Sequence, residues 1–276
     1  MKDYLQKYND EILEEKRMER MGMTKYNNQG SLMKVVGYKD CHNVTIEFQD
    51  EYKYKTTTQW PNIKAGQVRN PYVPTVFNVG IIGEKYKTVV NKKMSKEYNT
   101  WHEMIRRCFD EKCKNNYPTY QDSTCCDEWI LYENFYEWLH SQENFDKWIC
   151  DKRSALDKDI LVKGNKIYSP ETCLLVPQYV NTLFIKKDAN RGDLPIGVSY
   201  DAKQQRYFAM ISMLRNGQQY NKNAGYYPTP EDAFYLGYKP TKERYIQKVA
   251  QEEFYKGNIT KRCYEAMMKY EVEITD

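Results

Sequence analysis

Long apolar runs are missing from this 276-residue chain. None approaches the roughly 18 residues a membrane-spanning helix needs, so a span is excluded. The opening MKDYLQKYNDEILEEKR has no apolar core and mixes both charge signs, which excludes a secretory signal as well. Histidine is scarce, at three residues: His42, His102 and His140. Strong net charge is missing too, since 42 Lys+Arg against 38 Asp+Glu leave +4. These absences predict a soluble, cytoplasmic protein. Its eight cysteines then read as free thiols rather than a disulfide framework. The tight group Cys108, Cys113, Cys125 and Cys126 has spacings that fit structural zinc poorly.

What is abundant is tyrosine, with 26 residues beside 9 Phe and 5 Trp. Much of the apolar surface therefore carries a hydroxyl, which suits wet interfaces and base stacking as well as cores. Charge is patterned beneath the small net value. Residues 85–114 hold nine basic and four acidic side chains, and 122–151 hold eight acidic and one basic. Residues 182–222 hold seven basic and three acidic, and there the cations alternate with aromatics, a pattern of nucleic-acid contact. The acidic block reads as the solvated face of an aromatic-cored helix, Glu133 and Glu137 included, or as a surface for a host protein partner.

The expected fold class is α+β. Residues 1–84 read as an N-terminal helix and a small β-rich module of the kind that twists into a partial barrel. Val44, Ile46 and Phe48 alternate there with polar residues, as a half-buried strand requires. Turn residues such as Pro61-Asn62 separate the strands. Residues 85–187 read as a central helical region. Trp101, Met104, Ile105 and Cys108 share one helix face, and Trp129, Tyr132, Phe135, Trp138 and Leu139 another, both as core stripes. This region closes with strand, loop, strand or turn, and helix over 155–181. Residues 188–276 read as a three-stranded sheet, a helix begun by Thr229-Pro230, and a helical tail.

Two stretches resemble known families. Residues 98–181 resemble the HNH-like endonucleases common in bacteriophages, whose pattern runs W-x2-M-x2-R-C, V-C-x2-W, L-D-R-I-D and Y-x-P-E-N-C. The matching positions are Trp101, Met104, Arg107 and Cys108; Cys126 and Trp129; Leu156-Asp157-Lys158-Asp159-Ile160; and Tyr168 to Cys173. Residues 195–238 look like the ethylene-response-factor type of DNA-binding domain found in phage homing endonucleases. That match rests on Gly197-Val198, Arg206-Tyr207, Ala209, Ile211, Gly225-Tyr226 and Thr229 to Ala233.

The first resemblance implies a ββα unit that holds one divalent metal against a scissile phosphate while a histidine activates water. Carried over, Asp157 and Asn181 become the ligands of a Mg²⁺ ion, and Asp157, Lys158 and Asn181 the catalytic positions. Two departures stand in the sequence: Lys158 replaces the catalytic His, and Thr172 replaces the loop-bracing Asn. The Asp157 to Asn181 separation is also about two residues longer than the family pattern. None of the three histidines lies within the ββα stretch, and one folding back is the remaining route to a base. Two functions stay open at this point. One is metal-dependent cleavage or nicking of double-stranded DNA. The other is a catalytically inactive relative, a DNA- or protein-binding regulator or inhibitor of a host defence system.

The second resemblance and strand alternation together place the DNA contact. Arg206, Phe208 and Met210 point one way, and Tyr207, Ala209 and Ile211 the other, toward a helix burying Ala233, Phe234 and Leu236. Tyr200, Lys203, Arg215 and Lys222 are expected to join Arg206 on the DNA side.

Overall fold

The structure, a computed structural model, describes residues 2–184, 194–215 and 217–274. The fold is α+β. Two compact units divide the chain: Met1–Asp110 with Asp127–Phe135, and Glu111–Cys126 with Tyr136–Asp276. The boundary expected at 84/85 falls inside the first unit's span, and the one at 187/188 lies outside the described residues. Among the described residues, no helix is long and apolar enough to cross a membrane.

The first unit opens with α1 (Lys2–Arg20) and a meander of β1 (Thr24–Tyr26), β2 (Leu32–Asp40), β3 (Asn43–Phe48) and β4 (Lys55–Thr58). The four strands pair antiparallel in chain order, in the region where sequence texture suggests a β-rich module. The alternation in β3 buries Val44, Ile46 and Phe48 against Met33 and Val35 of β2 and Ile63 of α2 (Trp60–Ala65). Pro61 therefore does not mark a turn; it sits in the first turn of α2, where its missing N–H costs no helical hydrogen bond. A two-residue hairpin, β5 (Val89–Val90) and β6 (Lys93–Met94), precedes α3 (Lys96–Phe109), capped by the Ser95 hydroxyl. The stripe Trp101, Met104, Ile105 and Cys108 is buried as the spacing predicts. The Trp101 indole N–H donates to the Trp129 carbonyl at 2.7 Å.

The helix expected over 128–148 is three pieces: a 3-10 turn at Asp127–Ile130, α5 (Tyr132–His140) and α6 (Phe145–Cys150). Its aromatic stripe is core, with Trp129, Tyr132, Phe135 and Leu139 at or below 1% exposure. Glu133 corrects the solvated-face expectation. Its carboxylate is buried and accepts the backbone N–H groups of Glu84 and Lys85, each at 2.8 Å, together with the Tyr72 hydroxyl. Gly83 makes room for it: φ is +75°, and a Cβ there would come within 2.2 Å of Glu133 Oε1.

In the second unit, α4 (Glu111–Asn116) and β7 (Thr124–Cys125) lead to the ββα segment. β8 (Ser154–Asp157) pairs antiparallel with β10 (Leu174–Pro177), which runs directly into α7 (Gln178–Thr182). Between them, β9 (Ile167–Tyr168) lies parallel to β7. The three-stranded sheet follows as β11 (Val198–Asp201), β12 (Arg206–Arg215) and β13 (Gln218–Tyr227), antiparallel throughout. Thr229 caps α8 (Pro230–Asp232), its hydroxyl accepting from Asp232 N–H, as read from the sequence. The chain continues through a π-helix at Ala233–Tyr238 into α9 (Lys239–Tyr255) and then α10 (Lys261–Met268).

One hydrophobic core serves both halves of this unit. Leu174, Val176 and Val180 of the ββα segment join Val198, Ala209 and Ile211 of the sheet around Ile246, Val249 and Ala250 of α9. The π-turn changes which residues face it. Ala233, Phe234, Gly237 and Tyr238 are buried, while Leu236, expected inside, is 65% exposed. The wider i→i+5 turn carries position 236 outward. A buried carboxylate fixes α9 to its neighbours: Glu253 accepts from Lys256 Nζ at 2.6 Å and Asn258 Nδ2 at 2.7 Å, and from the Tyr179 hydroxyl of α7. Burial alone would raise its pKa, but these three donors outweigh burial and hold it below the ordinary glutamate value.

Reversing Glu133 to Lys should cost about 3 kcal/mol or more, because two backbone N–H groups lose their buried acceptor and a cation takes its place. The same change at exposed Glu137 should cost less than about 1 kcal/mol. Urea midpoints of the two variants read the contrast. Glu253→Gln should weaken the second unit at pH 7. Because the folded carboxyl titrates below its unfolded value of 4.5, this stabilisation is complete above that pH and is lost as acid carries the protein through the folded pKa. The stability gap between wild type and variant should therefore narrow from pH 7 to pH 3.5.

Candidate functional site

The ββα hairpin holds all three positions carried over from the HNH-like pattern. Asp157 ends β8 opposite Leu174, while Asn181 lies on α7, entered from the other end of the hairpin where Ser154 pairs with Pro177. Asp157 is 5% exposed, and its Oδ1 accepts the backbone N–H groups of Asp159 at 2.9 Å and Ile160 at 2.8 Å. It thus closes the turn that opens the loop, as a short carboxylate commonly does. Burial pushes its pKa up to about 6, outweighing those two donors. Asn181 is half-buried, and no hydrogen bond joins it to Asp157 among the described residues.

Lys158 does not extend from the hairpin as a base would. It is 7% exposed, with Nζ bonded to both Asp159 carboxylate oxygens at 2.8–2.9 Å and to the Asn165 carbonyl at 2.6 Å. The ammonium also lies 5.7 Å from the Tyr168 ring centroid, within cation–π range. Asn165 returns the contact, donating to the carbonyls of Lys158 and Ile167 at 2.9 and 2.7 Å. Thr172 adds a bond from its hydroxyl to the same Ile167 carbonyl. Loop 158–166 is therefore tied shut by a Lys158–Asn165 pair. Sequence reasoning missed Asn165; its signal was the Gly164-Asn165 dipeptide at the loop's turn.

A magnesium site asks for near-octahedral oxygen coordination and retains several waters. The donors here do not fit that requirement, because the Asp157 carboxylate is enclosed and already spends one oxygen on two peptide N–H groups. Among the described residues, no group of three His, Cys, Asp or Glu side chains suits a metal ion. The unit's single histidine, His140, is exposed and packs its ring 4.0 Å from both Tyr136 and Phe145, away from the hairpin sequence.

Comparison of the chain with protein-family models, curated proteins and solved structures finds no match. The reading of the site rests on its own geometry.

The three-stranded sheet is the other candidate. Cross-strand partners share a face, so the register sorts every side chain. Val198 and Tyr200 oppose Ala209 and Tyr207 on the helix-covered side. Ser199 and Asp201 oppose Phe208 and Arg206 on the uncovered side. On β13, a register shift opposite Ala209 brings Tyr226 to Phe208 and Asn223 to Met210. The uncovered face therefore carries Arg206, Phe208, Met210, Ser212 and Leu214 from β12, with Gln219, Asn221, Asn223 and Tyr226 beside them.

Of the expected contact residues whose side chains are described, Arg206 alone is on that face. Tyr200 is exposed, its ring tilted against Tyr207 with centroids 5.0 Å apart, on the helix side. Lys222 opposes Ile211, so it too projects to the helix side, at an exposed edge. Lys203 lies in the exposed turn between β11 and β12, its N–H bonded to Asp201. Arg215 pairs with Gln218 at the end of β12, and its side chain lies outside the described residues, as does Asn216 of the expected turn. Charge patterning does not reveal the amides of β13; the alternate spacing of Gln219, Asn221 and Asn223 is the signal in the sequence.

Replacing Lys158 by Ala should destabilise the second unit by about 2–3 kcal/mol, the scale of a buried charged hydrogen-bond donor. Thermal unfolding checks this, and hydrogen exchange should show faster exchange confined to loop 158–166.

Proposed function

We propose that this protein is a DNA-binding protein of HNH-endonuclease ancestry, phage-encoded and acting in the cytoplasm of a bacterial host, in which the ββα hairpin serves as scaffold. The uncovered sheet face carries this reading. A three-stranded sheet with one bare side fits the major groove, where side chains reach base edges. Arg206 on that face suits a base or phosphate contact, with Lys203 and Lys222 at its margins for the DNA backbone. The buried, fully engaged ammonium of Lys158 argues against general-base chemistry at the hairpin, because a base needs an accessible lone pair within reach of water.

One observation favours a second reading, a regulator or inhibitor that binds a host protein. Along α1, Leu5, Tyr8 and Leu13 are 38–55% exposed, so this 19-residue helix presents an apolar stripe with little covering it among the described residues.

Fluorescence anisotropy with duplex DNA at 50 and 200 mM salt tests the proposal. Binding should weaken steeply with salt. Arg206→Ala should lower affinity by about 1 kcal/mol or more, roughly fivefold, without unfolding. In parallel, supercoiled plasmid with Mg²⁺ or Mn²⁺ should stay intact. Asp157→Asn keeps the acceptor for Asp159 and Ile160 while removing a buried charge, so it should retain DNA binding and be no less stable at pH 7.5. Nicking abolished by Asp157→Asn would overturn the scaffold role, and no duplex binding at 50 mM salt would overturn the DNA reading.

A further inference from the structure

The uncovered face is poor in cations and rich in amides, and its spacing has a consequence for which DNA it reads. Gln219, Asn221 and Asn223 are exposed and alternate along β13, so all three project from one side of the strand. Antiparallel strands rise about 3.4 Å per residue, which separates alternate side chains by roughly 6.8 Å. Duplex DNA advances by about 3.4 Å per base pair. A strand lying along the groove thus presents one amide to every second pair.

The three amides are not equivalent. Gln219 Nε2 donates to Ser212 Oγ across the strands at 2.6 Å, and Asn223 Oδ1 accepts from Gly225 N–H at 2.8 Å. Both are held in place by the sheet itself. Asn221, between them, has no side-chain hydrogen bond among the described residues, so its donor and acceptor both remain available. Directly opposite stands Ser212, small enough to leave the amide open, with Met210 and Leu214 at the diagonal positions. An amide with both groups available matches adenine, accepting from N6 and donating to N7, and apolar side chains match the methyl of thymine. Guanine would call for an Arg or Lys here. Among the described side chains, the one cation on the face is Arg206, which opposes Asp201 near the other end of β12.

We infer that β13 is a base-reading strand whose Asn221 specifies an adenine·thymine pair, with Met210 and Leu214 against the thymine methyl. Duplex DNA is the occupant favoured by charge: residues 194–229 carry Lys203, Arg206, Arg215 and Lys222 against Asp201 alone. The inference rests on the DNA reading proposed above.

Selection of binding sites from a random duplex library, using the full chain, tests it. The enriched sites should share an adenine at one position. Asn221→Ala, an exposed change that leaves the fold intact by circular dichroism, should tolerate all four bases there and bind the enriched site about tenfold more weakly. Asn221→Arg should move the preference at that position from adenine to guanine. Enriched sites dominated by G·C pairs, or the same adenine preference in both variants, would overturn the inference while leaving DNA binding standing. Failure of the wild-type chain to retain any duplex would overturn it together with the DNA reading.

Discussion

The second unit is organised by a single buried core, and the placement of both its hairpin and its sheet depends on how that core is filled. Ile246, Val249 and Ala250 of α9 meet apolar residues from the ββα hairpin and from the three-stranded sheet together. Neither piece has enough apolar area of its own: the hairpin offers two four-residue strands and a five-residue helix, and the sheet covers only one side. Small elements of this kind stay folded by sharing a core. The polar counterpart is Glu253, which ties α7 to α9 through Tyr179.

That dependence explains how so small a hairpin keeps its shape. Lys158 occupies the place where the family resemblance puts a histidine, and its ammonium closes a loop by meeting Asp159 and Asn165. A lysine reaches farther than an imidazole and brings three donors, so it suits an interior crossed by carbonyls and a carboxylate. Asp157 turns inward for the same reason, giving its oxygen to peptide N–H groups rather than to solvent. The hairpin supplies order to the core, and among the described residues one face of the sheet stays uncovered.

Much of the architecture was legible in the residues. Alternation in β3 and β12, the Thr229-Pro230 helix start, the stripe in α3 and the strand–loop–strand–helix order over 155–181 all report on short-range geometry. A residue's immediate neighbours decide whether it sits in a helix or a strand and which side is apolar. Hence the fold class, most element positions and the helix-facing side of β12 followed from the sequence alone, together with the unusual lysine at position 158.

What the tertiary structure decided were matters of partnership. Glu133 belongs to an acidic run, yet it is buried because Gly83 clears space and the N–H groups of Glu84 and Lys85 need an acceptor, some 49 residues away along the chain. Leu236 is outside because a π-turn replaced an α-turn. Tyr200 and Lys222 left the face of Arg206 because pairing register, including the shift opposite Ala209, set their direction. In a strand, one residue of register exchanges the two faces completely, and register is chosen by the partner strand rather than by the strand's own composition. The sequence by itself therefore determined that a bare-sided sheet exists; only the assembled pairing decided that amides, with one arginine, are what it presents.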